Sequence, residues 1–147
     1  MKERGDYKYN ISVIGNGEIV QNRLKHAIGA HNVPLRVAVM DIKERTCETE
    51  RVGNAKFSYY KIDDSSSKRV LSSNIVWIAT PSSSHLTYLS KYINTSYIAI
   101  EKPLISNKTE LSALLNLYHS NLWSRVFCLG YYYLEKALPL TFLYNPL

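Results

Sequence analysis

A pair of glycines follows the first apolar run of the sequence and could bind a phosphate group. The apolar run 11–14 is followed by Gly15-Asn16-Gly17-Glu18-Ile19, where a helical pattern opens. In such a turn the first glycine permits the tight bend, and the second lets the backbone approach a pyrophosphate held by free N–H groups at the helix start. The alternative is a turn that needs glycine and binds nothing. The residues predicted to contact a dinucleotide here are Gly15, Asn16, Gly17, Glu18 and Ile19.

An acidic residue, Asp41, follows the second apolar run and suits the ribose of a dinucleotide. A carboxylate at this point can accept hydrogen bonds from the adenosine ribose hydroxyls, which favours NAD because a 2′-phosphate would be repelled. Lys43 and Arg45 lie just beyond and could instead bind a 2′-phosphate. The sequence therefore predicts NAD or NADP with a preference for NAD, the alternative being a solvated aspartate at a strand end.

Two further motifs follow later apolar runs, at the strand ends where ligands bind in open α/β sheets. The first contains Thr80, Pro81 and His85, and the second is Glu101-Lys102-Pro103. A lysine at such an edge can hydrogen-bond a substrate hydroxyl and help a proton leave as hydride moves. Lys102 is therefore the candidate catalytic residue, although strand-end lysines are commonly solvated. The residues predicted to contact the cofactor from these motifs are Thr80, Pro81, His85, Glu101, Lys102 and Pro103.

Apolar runs alternate with helical patterns along the chain, which predicts an α/β fold with a parallel sheet covered on both faces. Strands are predicted at 11–14, 35–40, 57–60, 74–79, 97–100 and 126–129. Helices are predicted at 18–31, 44–52, 68–72 and 85–92, and a further helix after Asn107 and Glu110, which resemble a capping box. Leu111, Leu114, Leu115 and Tyr118 form its expected inward stripe. About six strands in this alternation indicate a Rossmann-type doubly wound sheet.

Composition narrows the class of protein. The 147 residues are 46% hydrophobic and 20% charged, which suits one globular domain. No run reaches the roughly 18 apolar residues of a membrane helix, and the charged N-terminus predicts a cytoplasmic protein. The net charge of +6 would suit nucleic acid, but the basic residues are scattered, so no nucleic-acid partner is expected. Cys47 and Cys128 are far apart and near no histidine cluster, so neither a disulfide nor a metal site is expected.

Taken together, these motifs resemble the Gfo/Idh/MocA oxidoreductase family, which includes glucose–fructose oxidoreductase and inositol dehydrogenase. The resemblance covers residues 9–130 and rests on the order of the glycine turn, the acid after strand two, and segments 74–85 and 97–104. It implies a domain that binds NAD or NADP, with Gly15 and Gly17 at the pyrophosphate and Asp41 at the ribose. Lys102 would lie beside the nicotinamide, and Thr80-Pro81 would lie along the cofactor.

The sequence departs from the family in three places. Val20 replaces a small residue of the glycine fingerprint, and segment 130–136 lacks the expected Arg-Phe or Asn-Arg pattern. The third departure is that we expect the family's second domain, which in that family supplies an Asp, a His and most of the substrate pocket, to be missing or truncated. We therefore expect a dinucleotide-binding Rossmann domain at 1–130 and the start of a missing or truncated second domain at 131–147.

These departures leave two functional interpretations. The first is the cofactor-binding part of an NAD(P)-dependent oxidoreductase, which transfers hydride to or from a hydroxyl carbon of a sugar- or polyol-like substrate. The second is a non-catalytic nucleotide- or partner-binding relative. Partners would be the small-molecule substrate and either a second copy or a full-length relative, with no membrane contact.

Overall fold

A seven-stranded sheet forms the centre of the protein in the computed structural model, which describes residues 7–43, 48–63, 66–94 and 96–129. The strands run β3-β4-β2-β1-β5-β6-β7 across the sheet, and all are parallel except β3, which is antiparallel to β4. The Rossmann-type α/β fold predicted from the sequence is thereby confirmed. The strands are β1 (Tyr9–Ile14), β2 (Leu35–Asp41), β3 (Thr49–Val52), β4 (Ala55–Lys61), β5 (Ile75–Ile78), β6 (Tyr97–Glu101) and β7 (Val126–Leu129).

Helices connect the parallel strands. A segment of π geometry, Val20–Leu24, continues directly into α1 and joins β1 to β2. Short 3₁₀ turns at Ser82–Ser84 and Lys108–Glu110 precede α3 and α4, and another at Asn121–Arg125 precedes β7. The α-helices are α1 (Lys25–Gly29), α2 (Ser66–Leu71), α3 (His85–Tyr92) and α4 (Leu111–Tyr118).

Two apolar clusters cover the two faces of the sheet. On one face Val20, Leu24 and Ile28 of the first helical segment pack on residues of β1, β2 and β4. On the other face Leu89 and Tyr92 of α3, with Val70 of α2, pack on β5 and β6. The parallel strands are apolar because burial on both faces removes each of their side chains from water.

The chain reverses its direction of winding between β1 and β5. β1 is followed towards one edge by β2 and β4, whereas β5, β6 and β7 extend towards the other edge. The connections above the carboxyl ends of β1 and β5 therefore diverge and leave a crevice between them. The predicted site residues follow β1, β2, β5 and β6 at this same edge.

The helix predicted at 44–52 is wrong. Thr49–Val52 forms β3, and Gly53 and Asn54 form the two-residue loop of a hairpin in which Val52 lies opposite Ala55; residues 44–47 lie outside the described ranges. Gly53 has a φ of +59° and was expected to end a helix. Exposed Thr49 and Arg51 alternate with partly buried Glu50 and Val52 in β3, and this two-residue period is that of a strand rather than of a helix.

The inward stripe predicted for α4 is only partly correct. The helix itself is confirmed, and the side chain of Asn107 accepts a hydrogen bond from the Glu110 amide at 3.2 Å as the capping box predicts. Leu114 and Leu117 pack against the core, whereas Leu111, Leu115 and Tyr118 are exposed. Leucines occur around much of this helix, so their spacing alone did not determine which side faces the sheet.

Candidate functional site

Gly15 makes the turn that connects β1 to the first helical segment. Its φ is +101°, and its amide donates to the carbonyl of Met40 at 2.7 Å. A Cβ atom here would lie 2.5 Å from the carbonyl oxygen of Ala79, which follows β5. Only glycine fits this position, because both the backbone conformation and the close neighbouring strand exclude a side chain.

Gly17 differs from Gly15 because its missing side chain leaves open space. A Cβ atom at Gly17 would meet nothing within 4 Å. Its carbonyl accepts from the amides of Val20 and Gln21, both at 3.1 Å, and so starts the helical segment. The amides of Glu18 and Ile19, which precede Val20, belong to the first turn, where backbone N–H groups have no acceptor within the helix. Gly17 therefore leaves the backbone accessible to a ligand from the side that a side chain would cover.

Val20, the residue that departs from the glycine fingerprint, and the neighbouring Glu18 do not line the crevice. Val20 is 1% exposed and belongs to the apolar cluster on the α1 face. Glu18 is exposed, as is Ile19, and none of the three lines the cleft described below. Replacement of a small residue by Val20 is therefore accommodated in the core and does not block the turn.

Asp41 connects the glycine turn to the loop after β2. One carboxylate oxygen, Oδ2, accepts from the Asn16 amide at 2.8 Å, and the other, Oδ1, accepts from the Lys43 amide at 2.9 Å. The Asn16 side chain in turn accepts a hydrogen bond from Gln21. Since each carboxylate oxygen can accept more than one hydrogen bond, Asp41 retains acceptor capacity for a ligand.

These residues line a cleft of about 540 Å³ at the carboxyl ends of β1, β2, β4 and β5. That volume lies within the range of about 300–1,000 Å³ typical of small-molecule sites. Six of the predicted contact residues line it, namely Gly15, Asn16, Gly17, Asp41, Thr80 and Pro81. The other six, which are Glu18, Ile19, His85, Glu101, Lys102 and Pro103, do not.

Apolar side chains that line this cleft, those of Ile42, Ile62 and Tyr88, were not among the residues predicted from the sequence. Ile42 and Ile62 follow β2 and β4, and the Ile62 amide donates to the Asp41 carbonyl at 3.0 Å. Ile42 is 69% exposed and lines the cleft, so its side chain is accessible to a ligand there. Tyr88 of α3 lines the opposite side. The two isoleucines could have been predicted to line the cleft because each directly follows a strand that ends at this edge of the sheet.

The second group of predicted residues is held together by a buried histidine. His85, at the start of α3, is 1% exposed. Its Nδ1 lies 2.8 Å from the carbonyl oxygen of Pro103, and its Nε2 lies 2.7 Å from the carbonyl oxygen of Thr80. The Ser84 hydroxyl also donates to the Thr80 hydroxyl, at 2.8 Å. His85 thereby joins the turn after β5 to the turn after β6, while the Lys102 side chain is exposed.

Glu101 is a buried acid at the end of β6. It is 7% exposed, and its Oε1 accepts a hydrogen bond from the Trp77 indole at 3.2 Å. Burial raises the pKa of this carboxyl above its usual range, although the Trp77 hydrogen bond and the positive charges of His85 and Lys102 oppose the increase. The turn after β6 therefore combines a buried acid with an exposed lysine.

The residues of the cleft fit a dinucleotide. The glycine turn presents backbone at Gly17 where a Cβ would project into open space, and Asp41 supplies acceptors close to that turn. Isoleucine side chains flank the same cleft and suit an aromatic base. Exposed amides suit the pyrophosphate of an adenine dinucleotide, the carboxylate suits its adenosine ribose, and the apolar side chains suit its adenine.

Three solved structures share this fold at low sequence identity. The WlbA dehydrogenase of Chromobacterium violaceum, in complex with NADH and UDP-GlcNAcA, matches with a TM-score of 0.58 and 18% identity over 85% of this chain and 36% of its own. The WlbA dehydrogenase of Thermus thermophilus, with NAD and UDP-GlcNAcA, gives 0.55 and 19% over 82% and 41%. A 3-ketoreductase of Actinomadura kijaniata, with NADP and TDP-benzene, gives 0.54 and 20% over 74% and 33%.

This chain thus spans between about a third and two fifths of the length of these neighbours. No protein-family model matches it, and no curated protein matches it by sequence. Within the described ranges, no helix has the length and apolar character needed to cross a bilayer. The structural likeness establishes the fold that the motifs predicted.

Proposed function

We propose that this chain is the dinucleotide-binding part of an NAD(P)-dependent oxidoreductase of the Gfo/Idh/MocA family. One observation carries the proposal: Gly17, Asp41 and Thr80, from three separate segments, line a single cleft at the switch point of the sheet. Ligands of open α/β sheets bind at this point. The neighbours' complexes with NADH, NAD and NADP support the same assignment.

The cofactor would be held by three parts of the cleft. The backbone at Gly17 and the first helical amides would bind the pyrophosphate, and Asp41 would accept hydrogen bonds from the adenosine ribose. Ile42 and Ile62 would contact the two faces of the adenine. Thr80 and the adjacent proline would lie along the nicotinamide half.

NAD is the cofactor we propose in preference to NADP. The Asp41 carboxylate is fixed by two backbone amides beside the glycine turn, so its negative charge cannot easily move away from a 2′-phosphate. Lys43 lines the same cleft and provides the opposing charge. We assign the preference to Asp41 because two hydrogen bonds hold it in place, whereas a lysine side chain is flexible.

The proposed reaction moves a hydride between the cofactor and a hydroxyl carbon of a sugar- or polyol-like substrate. The nicotinamide, when bound, supplies or accepts that hydride. Lys102 would hydrogen-bond the reacting hydroxyl and accept or return its proton, as general acid–base catalysis requires. In this proposal residues 1–130 form the cofactor domain, and residues 131–147, all of which lie outside the described residues, lead into the part that completes the substrate pocket.

A titration of the whole chain with NADH, NAD and NADPH tests the proposal. Gly17→Val should weaken NADH binding at least tenfold without loss of thermal stability, because the new side chain would enter the space meant for the pyrophosphate. Wild-type protein should bind NADH more tightly than NADPH. Failure of wild type to bind any of the three, or unchanged affinity in Gly17→Val, would contradict the cofactor placement.

A non-catalytic nucleotide-binding module is the second candidate. It is favoured by the observation that the side chain proposed for catalysis, Lys102, does not line the cleft. A spectrophotometric assay of NADH formation with sugar and polyol substrates distinguishes the two. Cofactor binding with no turnover on any substrate supports the module, whereas turnover that is lost in Lys102→Ala supports the oxidoreductase.

A further inference from the structure

His85 makes two hydrogen bonds that a neutral histidine cannot make together. Both ring nitrogens lie within 2.8 Å of backbone carbonyl oxygens, which only accept hydrogen bonds. A neutral imidazole carries one N–H and one bare nitrogen, so one of the two contacts would place a lone pair against a lone pair. An imidazolium donates from both nitrogens and satisfies both carbonyls. The geometry therefore favours a ring that carries an N–H on both nitrogens.

The surroundings contain a partner for this buried charge. Glu101 ends β6 and interacts electrostatically with His85, and the exposed Lys102 follows it in sequence. A buried charge is tolerated where an opposite charge and hydrogen bonds compensate for lost hydration. His85 has both, since two carbonyls accept from it and a buried carboxylate lies nearby.

We propose that His85, as an imidazolium, is a positioning residue that fixes Lys102 relative to the cleft. It rests on the proposed function, in which Lys102 acts beside the nicotinamide. The ring binds Thr80, which lines the cleft, and Pro103, which directly follows Lys102. The position of Lys102 relative to the cleft therefore depends on a rigid ring that bridges the two turns, because the Lys102 side chain itself is exposed.

Histidine is specifically suited to this bridge. Its two donors are on separate atoms of a rigid ring and point away from each other, so they reach carbonyls on two different loops. A glutamine has both amide protons on one nitrogen, and its other terminal atom is an acceptor. His85→Gln should therefore keep one of the two hydrogen bonds and release the other turn.

The protonation of the ring is tested without cofactor or variant. Nitrogen-15 NMR of the whole chain, with the His85 ring connected through bonds to its own backbone, should show an N–H on both ring nitrogens at neutral pH. His26 and His31, which are exposed, provide reference spectra in the same sample. A single N–H on His85, which is the neutral tautomer, would overturn the proposal.

Positioning is tested by hydrogen exchange and by protection of Lys102. In His85→Gln, backbone amide exchange at 101–104 should be at least tenfold faster than in wild type, while the exposed control His31→Gln should match wild type. NADH should bind His85→Gln with an affinity within about threefold of that for wild type. NADH should slow the acylation of Lys102, measured by mass spectrometry, in wild type but not in His85→Gln. Slow exchange or retained protection in His85→Gln would refute the positioning role.

The two proposals fail in distinguishable ways. If wild type does not bind NADH, the proposed function fails, and ring protonation together with amide exchange still decides whether His85 bridges the turns. If NADH binds and protects Lys102 equally in wild type and His85→Gln, the proposed function stands and the role of His85 is disproved. If His85→Gln does not fold, the protonation state in wild type decides the outcome.

Discussion

The stability of the folded protein depends on whether the buried carboxyl of Glu101 is ionised. Its pKa is raised mainly by burial, so the folded protein favours the protonated form more than the unfolded chain does. The resulting stabilisation is fully present below the ordinary glutamate pKa and is lost as the pH rises through the raised value. The contribution of Glu101 to the free energy of unfolding is therefore more favourable in acid than at neutral pH.

Replacing this carboxyl with an amide should remove that pH dependence. The free energy of unfolding of wild type should fall relative to that of Glu101→Gln as the pH rises from about 4 through the raised pKa. Urea denaturation at several pH values measures the free energies of unfolding of wild type and of Glu101→Gln. The exposed variant Glu18→Gln is the control and should follow wild type. A constant difference between wild type and Glu101→Gln across this range would show that the carboxyl is not destabilised by burial.

Ile42 is exposed and lines the cleft, so a ligand that binds there would bury part of its side chain. Full burial of such a side chain is worth about 1.5–3 kcal/mol, and about 1.4 kcal/mol corresponds to tenfold in affinity. Ile42→Ser should therefore weaken NADH binding about tenfold by calorimetry, with little change in stability. Leu71→Ser is the matched control, because Leu71 is 47% exposed and does not line the cleft. Equal affinities in the two variants would exclude adenine from this wall.

The hairpin of β3 and β4 is the element that the sequence patterns described least well. Gly53 combines a φ of +59° with a Cβ direction that ends 1.9 Å from the carbonyl oxygen of Gly29, at the end of α1. The hairpin loop thus packs directly on the helix that the glycine turn begins. Sequence alone could show that Gly53 interrupts an element, but the neighbour it meets is distant in the chain.

Gly53→Ala should destabilise the protein by about 2 kcal/mol or more, because alanine is strained at positive φ and its Cβ would collide with backbone. Chemical denaturation followed by circular dichroism measures the loss. Gly17→Ala is the control, since its Cβ would meet nothing within 4 Å, and it should stay close to wild type. Equal stability of the two variants would mean that the hairpin does not rest on α1.

At the scale of the whole molecule, the parallel sheet was predictable and the edge of the cleft was not. Continuous apolar runs identify strands that are buried on both faces, so β1, β2, β5 and β6 followed from the sequence. The glycine turn and Asp41 were predictable because motif and strand end coincide. The orientation of α4 and the burial of His85 between the turns after β5 and β6 depend on contacts between distant segments. Periodicity along one segment does not encode such contacts.

Because the cleft draws its walls from both halves of the sheet, a ligand there should stabilise the fold as a whole. A ligand that binds only the native state adds RT ln(1 + [L]/Kd), which is about 2.7 kcal/mol at one hundred times Kd. NADH at that concentration should raise the Tm by roughly 5–10 °C in scanning calorimetry. Gly17→Val, with at least tenfold weaker binding, should show at most about half of this increase, and an increase of equal size in that variant would place the ligand elsewhere.

The antiparallel strand β3 also determines what the sheet presents at one margin. An outer strand with unpaired N–H and C=O groups is a template for addition of a strand from another chain, and natural proteins discourage this with charged side chains and short length. β3 is four residues long and carries Glu50 and Arg51. The short length and the charged side chains of β3 therefore both discourage edge-to-edge aggregation at this margin.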